Sequence, residues 1–267
     1  MVNYEKIVRS SHFTFLIGED KTPLSIHAAV LEKLSAPLHA LFSNGYMKES
    51  QAKVATLDDV DVETFAAFSE FAYTNNYKTP ARKCAAEKPP RSIVPKPYRI
   101  SKRSWTCRPK VQTARKYCNK ALYPSGTGQK DFDAFHFEDI GESFRSRKFG
   151  SKAVKSNPNL NLLLHAKLYV FSTKYLIEPL RQNCPVTIHE DLLHLGCAKA
   201  SHLVLALLEY VYSNTGRTEP TGESLLRDLV IHYVASKMPI LSKHEDFFAV
   251  LDPSAEMGSD LAKEMVK

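Results

Sequence analysis

The stretch from His12 to Tyr77, HFTFLIGEDKTPLSIHAAVLEKLSAPLHALFSNGYMKESQAKVATLDDVDVETFAAFSEFAYTNNY, leaves few folds open to this chain. Phe13 to Ile17 has the aromatic and β-branched content of a strand. Gly18 to Pro23 is turn chemistry, so Leu24-Ser25-Ile26 is expected to fold back as the second strand of a hairpin. From His27, Val30, Leu31 and Leu34 follow helical spacing. Leu38, Leu41 and Phe42 repeat it after Pro37, which predicts two short helices meeting at a proline-marked joint. Lys53 to Leu57 returns to strand composition. Asp58, Asp59 and Asp61 then stand where the positive end of a helix dipole would lie, ahead of Phe65, Phe68 and Ala72 on one face.

Four segments of this stretch resemble the BTB (POZ) family. Ile26-His27, Val30-Leu31 and Ser35 are similar to its His-x-x-Val-Leu-x-x-x-Ser segment, and Met47-Lys48-Glu49-Ser50 to its Met-x-Glu-Ser. Val62 to Phe65 and Phe71 to Thr74 look like the two ends of its fourth helix. Phe13 to Leu16 and Phe68 to Tyr77 are most similar to BTB proteins of filamentous fungi. The resemblance implies an α+β fold, a small sheet flanked by helices, and a role in joining proteins. It also implies that a hydrophobic residue followed two later by Glu in the Met47 loop docks cullin scaffolds of ubiquitin ligases. Phe42, Met47, Glu49 and Ser50 are therefore the candidate partner-binding residues; an ordinary surface turn is the alternative. Many family members carry an Asp before the first strand that supports a dimer. Here the region reads Ser10-Ser11-His12, so a monomer or weak homodimer is expected.

Charge divides the chain. Residues 78–155 hold 20 Lys and Arg against 6 Asp and Glu, a net of +14, which leaves −7 on the rest of a chain whose total is +7. The segment is proline-rich with little apolar periodicity, and residues 81–159 read as a largely disordered basic insertion. Tyr98, Trp105 and Tyr117 among the basic residues raise nucleic-acid contact through phosphates and base stacking. A solvated spacer is the simpler reading. Asp131 to Phe144, alternating acids with Phe, looks like a piece that docks on a folded surface, of this chain or of a partner.

After Asn159 helical spacing resumes. Leu164, Leu168, Phe171 and Tyr175 share one face, and Pro179 falls where a second helix begins. Residues 163–180 resemble the next helical pair of the BTB domain. The expected organisation is thus a BTB domain in two parts, 1–80 and 160–190, split by the insertion and followed by a helical extension over 191–267. Pro185 should interrupt or shorten its helix. In the extension Leu225, Leu229 and Tyr233 are expected to face the preceding helices, with Phe247, Phe248 and Leu251 closing the end. Phe68 to Asn75 is echoed by Leu207 to Asn214, each followed by a Leu-Leu-rich helix with Tyr-Val; the reuse of a helix-loop-helix unit is read either as a weak ancestral repeat or as two similar ways of packing a Tyr-rich helix end, and two copies do not make a solenoid.

Signatures of catalysis were sought along the chain. His189-Glu190-Asp191-Leu192-Leu193-His194 places its histidines five apart, the wrong spacing for a zinc protease. Cys184, His189, His194, Cys197 and His202 are irregularly spaced for a metal site. No phosphate-cradling loop, dinucleotide fingerprint or nucleophile elbow occurs, and His27 reads as a satisfied histidine at a strand-to-helix junction. The expectation is a chain that is not an enzyme and takes no cofactor or metal. Five cysteines without a CxxC pair fit a reducing compartment, cytoplasmic or nuclear. No secretory signal is read in residues 1–12, and no apolar run approaches a membrane span of roughly 20 residues.

Overall fold

A computed structural model describes residues 4–79, 128–150, 160–195, 200–220 and 222–266, with backbone alone for 128–135. Residues Met1–Ala81 and His136–Lys267 belong to one compact unit. The chain enters through α1 (Tyr4–Arg9), β1 (His12–Ile17), β2 (Thr22–His27), α2 (Ala28–Leu34), α3 (Ala36–Ser43), α4 (Lys48–Ala52), β3 (Val54–Leu57) and α5 (Val62–Thr74). It continues as α6 (Gly128–Arg145), α7 (Leu162–Lys174), α8 (Glu178–His194) and α9 (Ser201–Asn214). The small hairpin of β4 (Thr218–Glu219) and β5 (Gly222–Glu223) leads to α10 (Leu225–Ser236), α11 (Met238–Leu241), α12 (Phe247–Leu251) and α13 (Ala255–Val266). The fold is α+β, as expected.

The first sheet has the order β2-β1-β3. β1 pairs antiparallel with β2, Phe13 opposite Ile26, and parallel with β3, Phe15 opposite Ala55. Alternation along β1 sends Phe13, Phe15 and Ile17 into the core, all nearly inaccessible to solvent. Stapling of the sheet to the helices is aromatic. The Phe15 ring lies 5.1 Å from Phe65, Phe65 5.6 Å from Phe68, Phe68 4.8 Å from Phe171, and Phe171 4.7 Å from Tyr175. Phe171 and Tyr175 belong to the late part of the chain, so α7 completes a core that the early strands begin. Leu164 and Leu168 are buried on the same face of α7, as their spacing predicts.

Polar links reinforce this closure. Ser35, the joint between α2 and α3, accepts the Leu38 amide at 3.1 Å and donates to the Tyr175 carbonyl at 2.6 Å. Asp61 caps α5 by accepting the Thr64 amide at 2.7 Å and pairs with Lys167 of α7 at 2.6 Å. Burial alone would raise the Asp61 pKa, yet the Lys167 ammonium and the Thr64 amide outweigh it and hold the carboxyl below its ordinary range. Just before the inserted segment, the buried Tyr77 hydroxyl meets His165 Nδ1 at 2.7 Å, and His165 Nε2 lies 3.4 Å from Asp191.

Several expectations need correction. Pro185 lies inside α8 without ending it. A mid-helix proline costs about 3 kcal/mol, but Leu180, Ile188 and Leu192 along the same helix are all buried, and each such side chain contributes about 1.5–3 kcal/mol. Packing therefore outweighs the lost backbone bond. Leu225 at the start of α10 is 41 % exposed and Leu226 takes its place in the core, while Leu229 and Tyr233 face inward as expected. Phe247 is buried, but Phe248 is 55 % exposed. α1 and α4 were not anticipated.

The greatest departure concerns the end of the basic segment. Phe144 is buried, its ring 4.7 Å from His189 and 5.2 Å from Tyr233, and Ile140 is buried beside it. His189 Nε2 donates to the Phe144 carbonyl at 2.8 Å, His232 Nε2 to the Ile140 carbonyl at 3.2 Å, and His136 Nε2 to the Met265 carbonyl at 2.6 Å. Arg147 pairs with Asp228 at 2.5 Å. The acidic and Phe-rich piece docks on its own chain, so residues 136–149 belong to the folded body although the sequence placed them in the insertion. Residues 80–127 and 151–159 lie outside the described residues. α5 packs on α7, and α9 on α10.

Candidate protein-interaction surface

The candidate residues Phe42, Met47, Glu49 and Ser50 converge on the loop from α3 to α4. Phe42 anchors it: the half-buried ring lies 5.3 Å from Phe13 of the central strand and 4.8 Å, edge-on, from His39. Gly45 turns the chain with φ +68°, a left-handed conformation that suits glycine. Ser50 then ties the loop shut, its hydroxyl accepting the Gly45 amide at 2.9 Å and donating to the Phe42 carbonyl at 3.1 Å. Lys53, with φ +55°, closes α4 by donating its amide to the Glu49 carbonyl.

A pinned loop of this kind presents what lies between its anchors. Met47 is 44 % exposed at the N-cap of α4, and Tyr46 is 92 % exposed. The Glu49 carboxylate, half-exposed in the first turn of α4, makes no hydrogen bond or ion pair among the described residues. Two of the four candidates, Phe42 and Ser50, thus position the loop, while Met47 and Glu49 face outward. Tyr46 was missed by sequence reasoning. Its signal was a large aromatic directly after a glycine and directly before Met47.

The N-terminal edge is tied to its own chain. Just before β1, the Ser10 hydroxyl donates to the Ile7 carbonyl at 2.7 Å and accepts the Ala29 amide at 3.3 Å. Ile7 is buried and Lys6 pairs with Glu32 at 2.8 Å, so α1 packs on α2 of its own chain. Tyr4 and Val8 remain exposed.

The residues weighed for chemistry are dispersed or satisfied. His27 sits at the β2–α2 junction, its amide donating to the Tyr73 hydroxyl at 3.0 Å and its Nδ1 2.7 Å from the same oxygen. Burial, and then the charge of His12, whose ring lies 4.1 Å away, lower its pKa. Cys184 is fully buried, and burial pushes its thiol up to about 12, which leaves it protonated and a poor nucleophile or ligand. His189 is committed to Phe144, while His194 and His202 are exposed; Cys197 lies outside the described residues. Among the described residues no three His, Cys, Asp or Glu side chains gather as a metal site would require. Nor is any described helix long and apolar enough to cross a membrane.

Residues 9–87 match the family model of the BTB/POZ domain. The match runs from the end of α1, through the sheet and the Met47 loop, past α5; α7 and α8 lie beyond it. Comparison with curated proteins gives no match.

Proposed function

We propose, because residues 9–87 match the BTB/POZ domain, a module that mediates protein interactions, that the chain is an adaptor whose Tyr46–Glu49 loop docks a helical scaffold of the cullin type. The observation that carries this reading is the contrast within the loop. Phe42 and Ser50 hold it against β1, whereas Met47 and Glu49, which is unpaired among the described residues, are partly exposed to solvent. Rigid presentation lowers the ordering cost of binding, and a central apolar anchor with a polar neighbour is the usual make-up of an interface hot spot. In this reading α7 and α8 complete the BTB domain across the insertion, and the helices from α9 onward extend it. The chain works as a monomer or weak homodimer in the cytoplasm or nucleus.

The test is direct binding of the full chain to a purified cullin N-terminal region by calorimetry. Met47→Ala with Glu49→Ala is expected to weaken binding by about 2 kcal/mol or more. A parent chain that binds no cullin sinks the adaptor reading. The net charge of +14 on residues 78–155 supports a second one, a nuclear scaffold contacting nucleic acid through that segment. Its affinity for DNA would fall steeply with salt, which the cullin contact would not.

A further inference from the structure

One face of α6 meets the body of the chain residue by residue. His136, Ile140 and Phe144 recur at one-turn spacing along the helix, and Arg147 follows its last turn. All four are engaged. His136 donates to the Met265 carbonyl, Ile140 and Phe144 are buried, and Arg147 pairs with Asp228 of α10. The opposite face, with Glu138, Asp139, Glu142 and Ser143, is exposed. The receiving groove lies between α8 and α10, both beyond the stretch that matches the family. Rings of His189, Tyr233 and His232 stand around Phe144 at 4.7, 5.2 and 5.5 Å. His189 and His232 also bond the carbonyls of Phe144 and Ile140, backbone groups one turn apart that a helix of any sequence carries. The contact thus reads a helix through its backbone and through three side chains: an aliphatic, a Phe one turn on, and an Arg three residues later.

We infer that the groove between α8 and α10 docks a partner's helix bearing this pattern, and that α6 is a strap that fills the groove in cis until it is displaced. The seated α6 shows what the groove accepts. Helix-in-groove recognition rests on apolar anchors at one-turn spacing, which Ile140 and Phe144 supply here. While the strap is closed, a partner's apparent affinity is reduced to the fraction of molecules in which it has opened. The groove uses no residue of the Met47 loop, so failure to bind a cullin leaves this inference standing.

The probe is a fluorescein-labelled peptide of residues 136–149, titrated against the full chain by anisotropy. Ile140→Ala with Phe144→Ala in the chain withdraws the strap's anchors, and the peptide should bind this variant about tenfold or more tighter than the parent. Adding Asp228→Arg should weaken that binding about fivefold or more, the scale of one ion pair, and the Arg147→Glu peptide should recover it. Asp252→Arg, outside the groove, should change nothing; an equal loss there would mean general charge attraction and overturn the assignment. A second peptide keeps His136, Ile140, Phe144 and Arg147 with Ala, Glu and Lys elsewhere, and should bind as well as the first. Its failure would restrict the groove to α6 and overturn the partner. A folded double variant that ignores both peptides overturns the groove. Should that variant not fold, Arg147→Glu in the chain sets a carboxylate against Asp228 with both apolar anchors kept, and a gain over the parent is required of it. Hydrogen exchange on the parent must also show the α6 amides opening before those of α8 and α10; exchange only through global unfolding would mean that there is no strap. Self-association of the parent that vanishes in the double variant assigns the groove to α6 of a second copy and overturns the separate partner.

Discussion

The Ser35 hydroxyl donates to the Tyr175 carbonyl across 2.6 Å, joining residues 140 positions apart. The same oxygen accepts the Leu38 amide and so starts α3. One small side chain therefore holds both a local helix start and the docking of α7. Ser35→Ala removes an N-cap, worth about 1 kcal/mol, and strands a buried carbonyl, worth about 1–3 kcal/mol. Urea unfolding should show a loss of about 2–4 kcal/mol with an unchanged m-value. A loss below about 0.5 kcal/mol, the scale of an ordinary surface substitution, would mean that water replaces both bonds.

If the aromatic run from Phe15 through Phe65 and Phe68 to Phe171 is the true centre of the core, the chain can be cut where it is interrupted. Residues 1–81 and 136–267, produced together as two chains, should purify as a complex. Phe171→Ala in the second chain should weaken that complex by about 3–5 kcal/mol, the usual cost of emptying a buried aromatic site. Fragments that elute separately even without the substitution would show that the late helices form a core of their own.

Acid should loosen the docking of α6. Burial lowers the pKa of His189, with Arg147 and His232 acting in the same direction and the Phe144 carbonyl and Glu190 opposing. A histidine whose folded pKa is depressed contributes stability that is complete above its unfolded value of about 6.5 and is lost as pH falls through the folded value. The urea midpoint of the parent should therefore fall between pH 7.5 and pH 5.5 by more than that of His189→Gln, whose amide can still donate to Phe144. His27 is lowered as well and stays in both proteins, so some slope remains in the variant. Identical slopes would remove His189 from the account.

What could be read in advance followed physical periodicity. Phe13, Phe15 and Ile17 alternate, Leu164 to Tyr175 repeat at helical spacing, and Asp61 precedes its helix in capping position, so β1, α7 and the start of α5 were legible. Short elements were not: α1 buries only Ile7, and α4 has no buried residue, which leaves no pattern to detect. Pro185 misled because local propensity was weighed without the tertiary packing that overrides it. Phe144 was seen as a docking residue, but its receiving surface, formed by His189 and Tyr233, comes from two distant helices that no local window connects. The candidate loop was half legible: Met47, Glu49 and Ser50 came from a resemblance, whereas the exposure of Tyr46 depends on the Gly45 turn and the Ser50 tie.

That division within the loop leads to a sharp expectation. Tyr46 and Met47 are exposed and contribute little to the core, so Tyr46→Ser with Met47→Ala should leave the urea midpoint within the about 0.5 kcal/mol typical of surface changes. The same pair should weaken scaffold binding by about 2 kcal/mol or more if it forms the hot spot. Ser50→Ala releases the Gly45 amide and the Phe42 carbonyl. Its effect on affinity should come from a loop that must be ordered on binding, at about 0.5–1.5 kcal/mol for each side chain newly immobilised. Calorimetry should accordingly show a more unfavourable binding entropy for Ser50→Ala and a smaller heat-capacity change for the Tyr46 and Met47 pair, because only the pair removes apolar area from the interface. Should the two variants show the same signature, the loop would be acting through its fold alone, and the contact surface would have to be sought elsewhere on the domain.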